Sequence, residues 1–341
     1  MINLPIFADT KPPFMELVLL PDTIERPLAF YLAEEEWLAS RWPDRDFFFV
    51  WEVAPSVIIG RNQLMEREIN VPFCREHGIR IFRRKSGGGA VFADGNNLML
   101  SLVTTSPSSV ATTFAAYTSM VARSLRMLGL DASDNSRNDV LIGGRKVSGN
   151  SYLHLPGGRS IVHGTMLYDC DHVMMAGALT PSVSKLESHG VSSVRSRVTT
   201  IREQLPGLSL DDFRGHLVKT IPDGPTVTLT PDDIAEIERI EQEYYRPEWL
   251  YGRSPSGTLT ASGRIEGVGE VSVYMRVDKG VISGITLRGD YLETSDASAA
   301  IAGCLVGLPL DRDRILKALH AINLSSIIPG LTPETFTDRL F

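Results

Sequence analysis

Asn138-Asp139-Val140-Leu141-Ile142-Gly143-Gly144-Arg145-Lys146-Val147-Ser148-Gly149-Asn150 reads as a strand, a tight glycine turn and a second strand. The chain runs on through a Pro156-Gly157-Gly158 turn into a third apolar segment, Ser160 to Tyr168, so a three-stranded antiparallel meander is predicted. Alternation along its middle strand places Lys146, Ser148 and Asn150 on one face, a polar set suited to the wall of a site or to water. Upstream, strand-like Ile79-Arg80-Ile81-Phe82 leads into Arg83-Arg84-Lys85-Ser86-Gly87-Gly88-Gly89-Ala90-Val91-Phe92. Glycines let main-chain N–H groups approach an anion, the cations supply charge and Ser86 a hydroxyl, so this loop is suited to phosphate. It has neither the Gly-Lys-Ser/Thr ending of a nucleotide P-loop nor the G-x-G-x-x-G spacing of a dinucleotide fingerprint.

Working outward, residues 28 to 40 are predicted to form a helix with Glu34, Glu35 and Glu36 on the side opposite its apolar face. Asp46 to Val53 is a strand apolar on both faces, with Ser56 to Gly60 as its partner, and Ala90–Phe92 and Leu98–Val103 are further strands. Residues 109 to 129 form an amphipathic helix ended by Gly129, and 209 to 219 and 231 to 244 are helical. The stretch 246 to 255, rich in Pro, Gly and Ser, reads as a linker. Beyond it, strands at 258–265, 270–277 and 281–287 and helices at 296–306 and 311–322 make a second, smaller domain whose sequence shows no chemistry of its own. The expected class is α+β: a large mixed or antiparallel-sheet domain over 1–246 and a small α/β domain over 256–341.

Composition narrows the function classes. With 43% hydrophobic and 22% charged residues the chain is an ordinary globular protein, and its net charge of −7 argues against a nucleic-acid surface. No apolar run reaches membrane-spanning length, since the best candidate, Phe47 to Ile59, contains Glu52 and Pro55. No secretion signal is recognised, and Cys74, Cys170 and Cys304 are few and far apart, which suits a reducing cytoplasm.

Taken together, the two glycine-bearing runs and Val162-His163-Gly164-Thr165 resemble the lipoate-protein ligase family. The likeness begins near Leu28-Ala29-Phe30-Tyr31-Leu32-Ala33-Glu34-Glu35, passes through Val57-Ile58-Ile59-Gly60-Arg61-Asn62-Gln63, and includes Lys185-Leu186 and Ser193-Val194-Arg195-Ser196-Arg197-Val198-Thr199. It covers about residues 14 to 204, and then fades to the general pattern of the family's C-terminal accessory domain. What the resemblance implies is a lipoate/biotin-ligase-like catalytic domain that activates lipoate with ATP to lipoyl-AMP, releases pyrophosphate and passes the lipoyl group to a lysine of a lipoyl domain. The implied acceptors are E2 subunits of 2-oxoacid dehydrogenases or the glycine cleavage H-protein, with no nucleic acid and no membrane involved.

By the same resemblance Lys146 is the catalytic cation, contacting the lipoate carboxylate and the α-phosphate together. ATP is expected at Arg84, Gly88, Gly89, Ala90, Val91, Phe92, Asn138, Asp139 and Lys146, with Mg²⁺ at Asp139, and lipoate at Lys146, Ser148, Gly149 and His163. Arg83 is either a further phosphate contact or a solvated neighbour. Trp51, Val57 and Ile59 are candidate walls for the apolar tail, though residues of this kind are far more often plain core. Two motif positions depart from the family: Ala93 follows the glycine run where a histidine is usual, and Val162 precedes His163 where a second histidine is usual. Two other readings stay open, an octanoyl- or lipoyltransferase on the same fold, disfavoured because no cysteine occupies Leu179 to Ser182, and a non-catalytic relative that binds lipoyl domains.

Overall fold

A computed structural model describes residues 14–105, 109–134, 138–180, 198–251 and 258–341. Lys185, Leu186 and Ser193 to Arg197 lie outside the described residues. The larger lobe carries β1 (Met15–Leu19), β2 (Asp46–Trp51), β3 (Ser56–Ile59), β4 (Arg80–Arg83), β5 (Val91–Ala93), β6 (Leu98–Thr104), β7 (Ala132–Asp134), β8 (Asp139–Ile142), β9 (Arg145–His154), β10 (Ser160–Met166) and β11 (Thr226–Thr228). Eight of these form a mixed sheet in the order β11-β1-β2-β6-β10-β9-β8-β7, parallel at the β11-β1-β2 end and antiparallel through the predicted meander. Both faces are covered. Phe47, Phe49, Trp51, Met99 and Val103 pack toward the helix Leu28–Arg41, while Phe48, Leu98, Leu100 and Leu102 pack toward the helices Val110–Met127 and Leu210–Thr220. The two-residue alternation of these strands is why they read as apolar on both sides.

Two expectations are corrected. Ser56–Ile59 does not pair with β2, because β1 and β6 already occupy both edges of that strand. The chain turns away at Pro55, and β3 becomes the centre of a separate three-stranded sheet, parallel to β4 and antiparallel to β5. The glutamates of the first helix do not face water either: Glu34 and Glu35 are buried, Glu35 against Ser101 of β6 and His163 of β10.

The smaller lobe is a three-stranded antiparallel sheet, β12 (Thr258–Ile265), β13 (Gly269–Asp278) and β14 (Val281–Gly289), backed by helices Ala297–Leu305 and Arg312–Ala321 around a core of its own. Short helices Leu324–Ile327 and Pro333–Asp338, not predicted, close that core. The lobe is seated on the glycine loop. The Gly88 amide donates to the Tyr291 carbonyl (3.2 Å), and the Gly289 amide to the Asn62 carbonyl (2.9 Å). Asn62 Nδ2 donates to Glu293 (2.9 Å), and Arg61 pairs with Asp296 (3.2 Å). No helix among the described residues is long and apolar enough to cross a membrane.

Candidate active site

A cavity of about 330 Å³ opens between the glycine loop, β9, β10 and the seam with the smaller lobe. Lys146 enters it from β9, two residues past the Gly143-Gly144 turn. The β8–β9 ladder pairs Leu141 with Lys146 and Val140 with Ser148, so Val147 is skipped in a bulge. That extra residue breaks the alternation expected along the strand. Lys146, Gly149, Asn150 and Ser151 line the cavity, whereas Ser148 does not and its hydroxyl donates to Asn150 Oδ1 (3.2 Å). The Lys146 ammonium lies over Gly149, where an added Cβ would sit 2.6 Å from Nζ, and pairs with Asp139 Oδ1 at 2.8 Å. The lysine thus rests against a carboxylate at the mouth of the cavity.

Facing it, Gly88, Gly89, Ala90 and Val91 form the opposite wall, with Phe92 turned into a core cluster beneath. Arg84 shapes this wall. The residue is 4% exposed, and its guanidinium donates to Ser86 Oγ (3.0 Å) and to the carbonyls of Gly87 (2.5 Å), Gly89 (2.8 Å) and Ile58 (3.3 Å). Among the described residues no carboxylate pairs with it, and burial, with Arg83 adjacent, lowers its pKa to about 10. A buried cation satisfied by neutral oxygens alone lends positive potential to the cavity it borders. Arg83 is not a solvated neighbour: it is 3% exposed and clamps the carbonyls of Gly60, Arg61, Gln63 and Leu250. Lys85 turns away to Glu36 (2.6 Å) and Glu243 (3.3 Å).

His163 lines the cavity from β10 as the middle of a buried polar chain. Its Nε2 shares a hydrogen bond with Ser86 Oγ (2.8 Å) and its Nδ1 with Glu35 (2.8 Å). Glu35 accepts from Ser101 Oγ (2.5 Å), which accepts from Trp51 Nε1 (2.9 Å). Glu35 and Ser101 were missed as site residues; their signal was a polar residue at inward positions of otherwise apolar elements. Asn138 and Asn150 clasp each other, each side-chain amide donating to the other's carbonyl (2.7 and 2.8 Å), which fixes the strand entering β8 beside Lys146. The apolar end of the cavity is Leu32, Trp51, Ile58 and Met99. Val57 and Ile59, the proposed neighbours of Trp51, point to the other side of β3 and belong to the core.

One carboxylate of the larger lobe, Asp139, lines the cavity, and among the described residues no cluster of three metal-ligating side chains exists. Such a site fits a Mg²⁺ carried by phosphates better than one held by the protein alone. Cys170 is poorly suited to accept an acyl group: burial, reinforced by Asp94, Asp171 and Asp169, pushes its thiol up to about 12. The smaller lobe brings Arg264, Asp290 and Leu292 to the same cavity, a contribution its sequence did not reveal.

Residues 27–222 match the lipoyl protein ligase A/B catalytic domain, and residues 254–340 match the bacterial lipoate protein ligase C-terminus. The lipoate-protein ligase LplJ of Bacillus subtilis is 36% identical over 321 residues, covering 91% of this chain and 96% of its own length. Among solved structures, a bi-partite lipoate protein ligase of Thermoplasma acidophilum, studied with its E2 lipoyl domain, superposes with a TM-score of 0.62 at 27% identity, covering 72% of this chain and 99% of that one. A lipoate-protein ligase A bound with ATP gives a TM-score of 0.59 at 26% identity over 70% and 99%.

Proposed function

The chain belongs to the lipoyl protein ligase A/B family, and from that premise we propose that its cavity carries out lipoate activation through Lys146. The lipoate carboxylate and the α-phosphate of ATP repel each other, and the ammonium of Lys146 is the group that draws both together. Its Asp139 partner holds it ready, and the exchange of one anion for another costs little charge rearrangement. Gly89 and Ala90 offer main-chain donors to the phosphates, with Arg84 holding the loop in shape and Asn138 fixing the neighbouring strand. Asp139, once released from the lysine, would be the ligand for Mg²⁺, which when bound shields phosphate charge. The apolar tail lies against Leu32, Trp51, Ile58 and Met99, with His163 and Gly149 near its carboxylate end. The product, lipoyl-AMP, is then attacked by a lysine of an acceptor protein, for which we propose lipoyl domains of E2 subunits and the glycine cleavage H-protein. We place the reaction in the cytoplasm, in keeping with the unpaired Cys74, Cys170 and Cys304, and divide the chain into a catalytic part, 1–246, and an accessory part, 256–341.

One observation carries the reading: the Lys146 ammonium and the glycine wall border a single cavity that is apolar at one end and cationic at the other. Lipoate-dependent exchange of pyrophosphate into ATP is the test. Wild type is expected to exchange and Lys146→Ala to lose at least about 100-fold, whereas equal rates would remove the lysine from the mechanism. Acyl transfer from octanoyl carrier protein without ATP would favour the transferase reading instead.

A further inference from the structure

We propose that Arg264, on β12 of the smaller lobe, is a catalytic residue of the activation step, binding the outer phosphates of ATP and the pyrophosphate that leaves; the assignment rests on the ligase reading above. Three cations line the cavity among the described residues: Arg84, Lys146 and Arg264. Arg84 is committed to carbonyls of its own loop and Lys146 lies across Gly149 on the side of the adjoining carboxylate. Neither is left for the far end of a triphosphate. Arg264 has a side chain 45% exposed, and its Nη1 stands 3.7 Å from Asp290 Oδ2, beyond a direct hydrogen bond. That spacing orients the guanidinium without tying it.

Its anchor is rigid. Asp290 Oδ1 accepts from the Glu270 amide (2.5 Å), and the next residue, Tyr291, receives the Gly88 amide of the glycine wall. The Arg264 carbonyl is held in turn by Arg339 Nη2 (2.8 Å). The main chain thus sets Arg264 in register with the cradle across the seam between lobes. Counting Asp139 and Asp290 against the three cations, the lining carries one net positive charge, and it would carry none if Arg264 were elsewhere.

In the step itself a lipoate carboxylate oxygen forms a bond to the α-phosphorus, and the bond from that phosphorus to the bridging oxygen of pyrophosphate breaks. The electron pair stays on pyrophosphate, where a bidentate guanidinium stabilises the growing charge.

The two half-reactions, measured separately on the full chain, test this. Arg264→Ala is expected to lower lipoate-dependent pyrophosphate–ATP exchange roughly 10- to 100-fold and to raise the KM for pyrophosphate more than that for lipoate. Transfer from chemically prepared lipoyl-adenylate to a lipoyl-domain acceptor should stay within about twofold, and Arg264→Lys should recover part of the exchange. Unchanged exchange in Arg264→Ala would overturn the assignment, as would an equal fall in both half-reactions, which marks a structural role. A wild type silent in exchange would instead sink the ligase reading and the assignment together. Should Arg264→Ala fail to fold, Asp290→Asn keeps an acceptor oxygen for Glu270 and removes the orienting charge; it is expected to shift the same half-reaction by a smaller factor, and no shift would count against Arg264.

Discussion

At position 149 a side chain would collide with the ammonium of Lys146, and that single contact gives glycine a chemical role there. The added Cβ would fall 2.6 Å from Nζ and 2.7 Å from Cε, both on a flexible side chain that can move aside. Gly149→Ala is therefore expected to leave the unfolding free energy within about 1 kcal/mol of wild type while lowering exchange at least roughly 10-fold, because the charge is displaced from the reacting atoms. Denaturant titration beside the exchange assay separates these effects, and an unaltered rate would show that the lysine works from another position. Gly164 is different: its Cβ would lie 1.8 Å from Asn150 Oδ1, a side chain already clasped to Asn138. There the clash is with a fixed group, and Gly164→Ala is expected to lose both stability and exchange.

Elements, unlike residues, show their surroundings through titration, and the helix Leu28–Arg41 does so at Glu34. Burial, and secondly the charge of Glu35, push that carboxyl up to about 8 from an ordinary 4.5, and its Oε2 has no hydrogen-bond partner among the described residues. The folded protein holds this proton while the unfolded chain releases it above pH 4.5, so stability should fall as pH rises from about 4.5 to about 8 and level off beyond. Glu34→Gln is expected to flatten that slope, a difference on the order of 3 kcal/mol by pH 7. Urea unfolding of both proteins at pH 5 and pH 8 measures it, and parallel losses would place the titration elsewhere. The same helix shows the limit of reading a sequence: its existence was legible from apolar spacing, but three consecutive glutamates look like a wet face unless their partners are known, Ser101 and His163 for Glu35 and Lys85 and Tyr244 for Glu36. Long, strongly patterned elements such as Val110–Met127 and the β8–β9–β10 meander were legible for that reason. Met15–Leu19, Ala132–Asp134 and Thr226–Thr228 were not, being edge or near-edge strands of three to five residues, too short to show a pattern of their own. The bulge at Val147, after which Ser148 no longer shares the face of Lys146, is seen only once the strand is paired with β8. Lys146 and the glycine wall could be read because their chemistry is local; the Glu35–His163–Ser86 chain could not, because its members come from three separate elements.

Across the whole molecule, the seat of the smaller lobe depends on the absence of a side chain at position 87. A Cβ there would meet the Tyr291 carbonyl oxygen at 2.4 Å and the Leu292 Cα at 3.2 Å, main-chain atoms with no room to yield. Gly87→Ala is expected to unseat the lobe while each core stays folded, giving a larger radius of gyration by small-angle scattering with an unchanged circular dichroism spectrum. An identical scattering curve would mean the seam can shift without separating. Gly87 and Gly88 meet Tyr291 through backbone atoms, as do Gly289 and Asn62. A joint written in peptide groups leaves little trace in residue identity: surfaces around it can drift and recolour their charges through descent while the hinge line stays put, and two such halves, carried on separate chains, would still know where to meet.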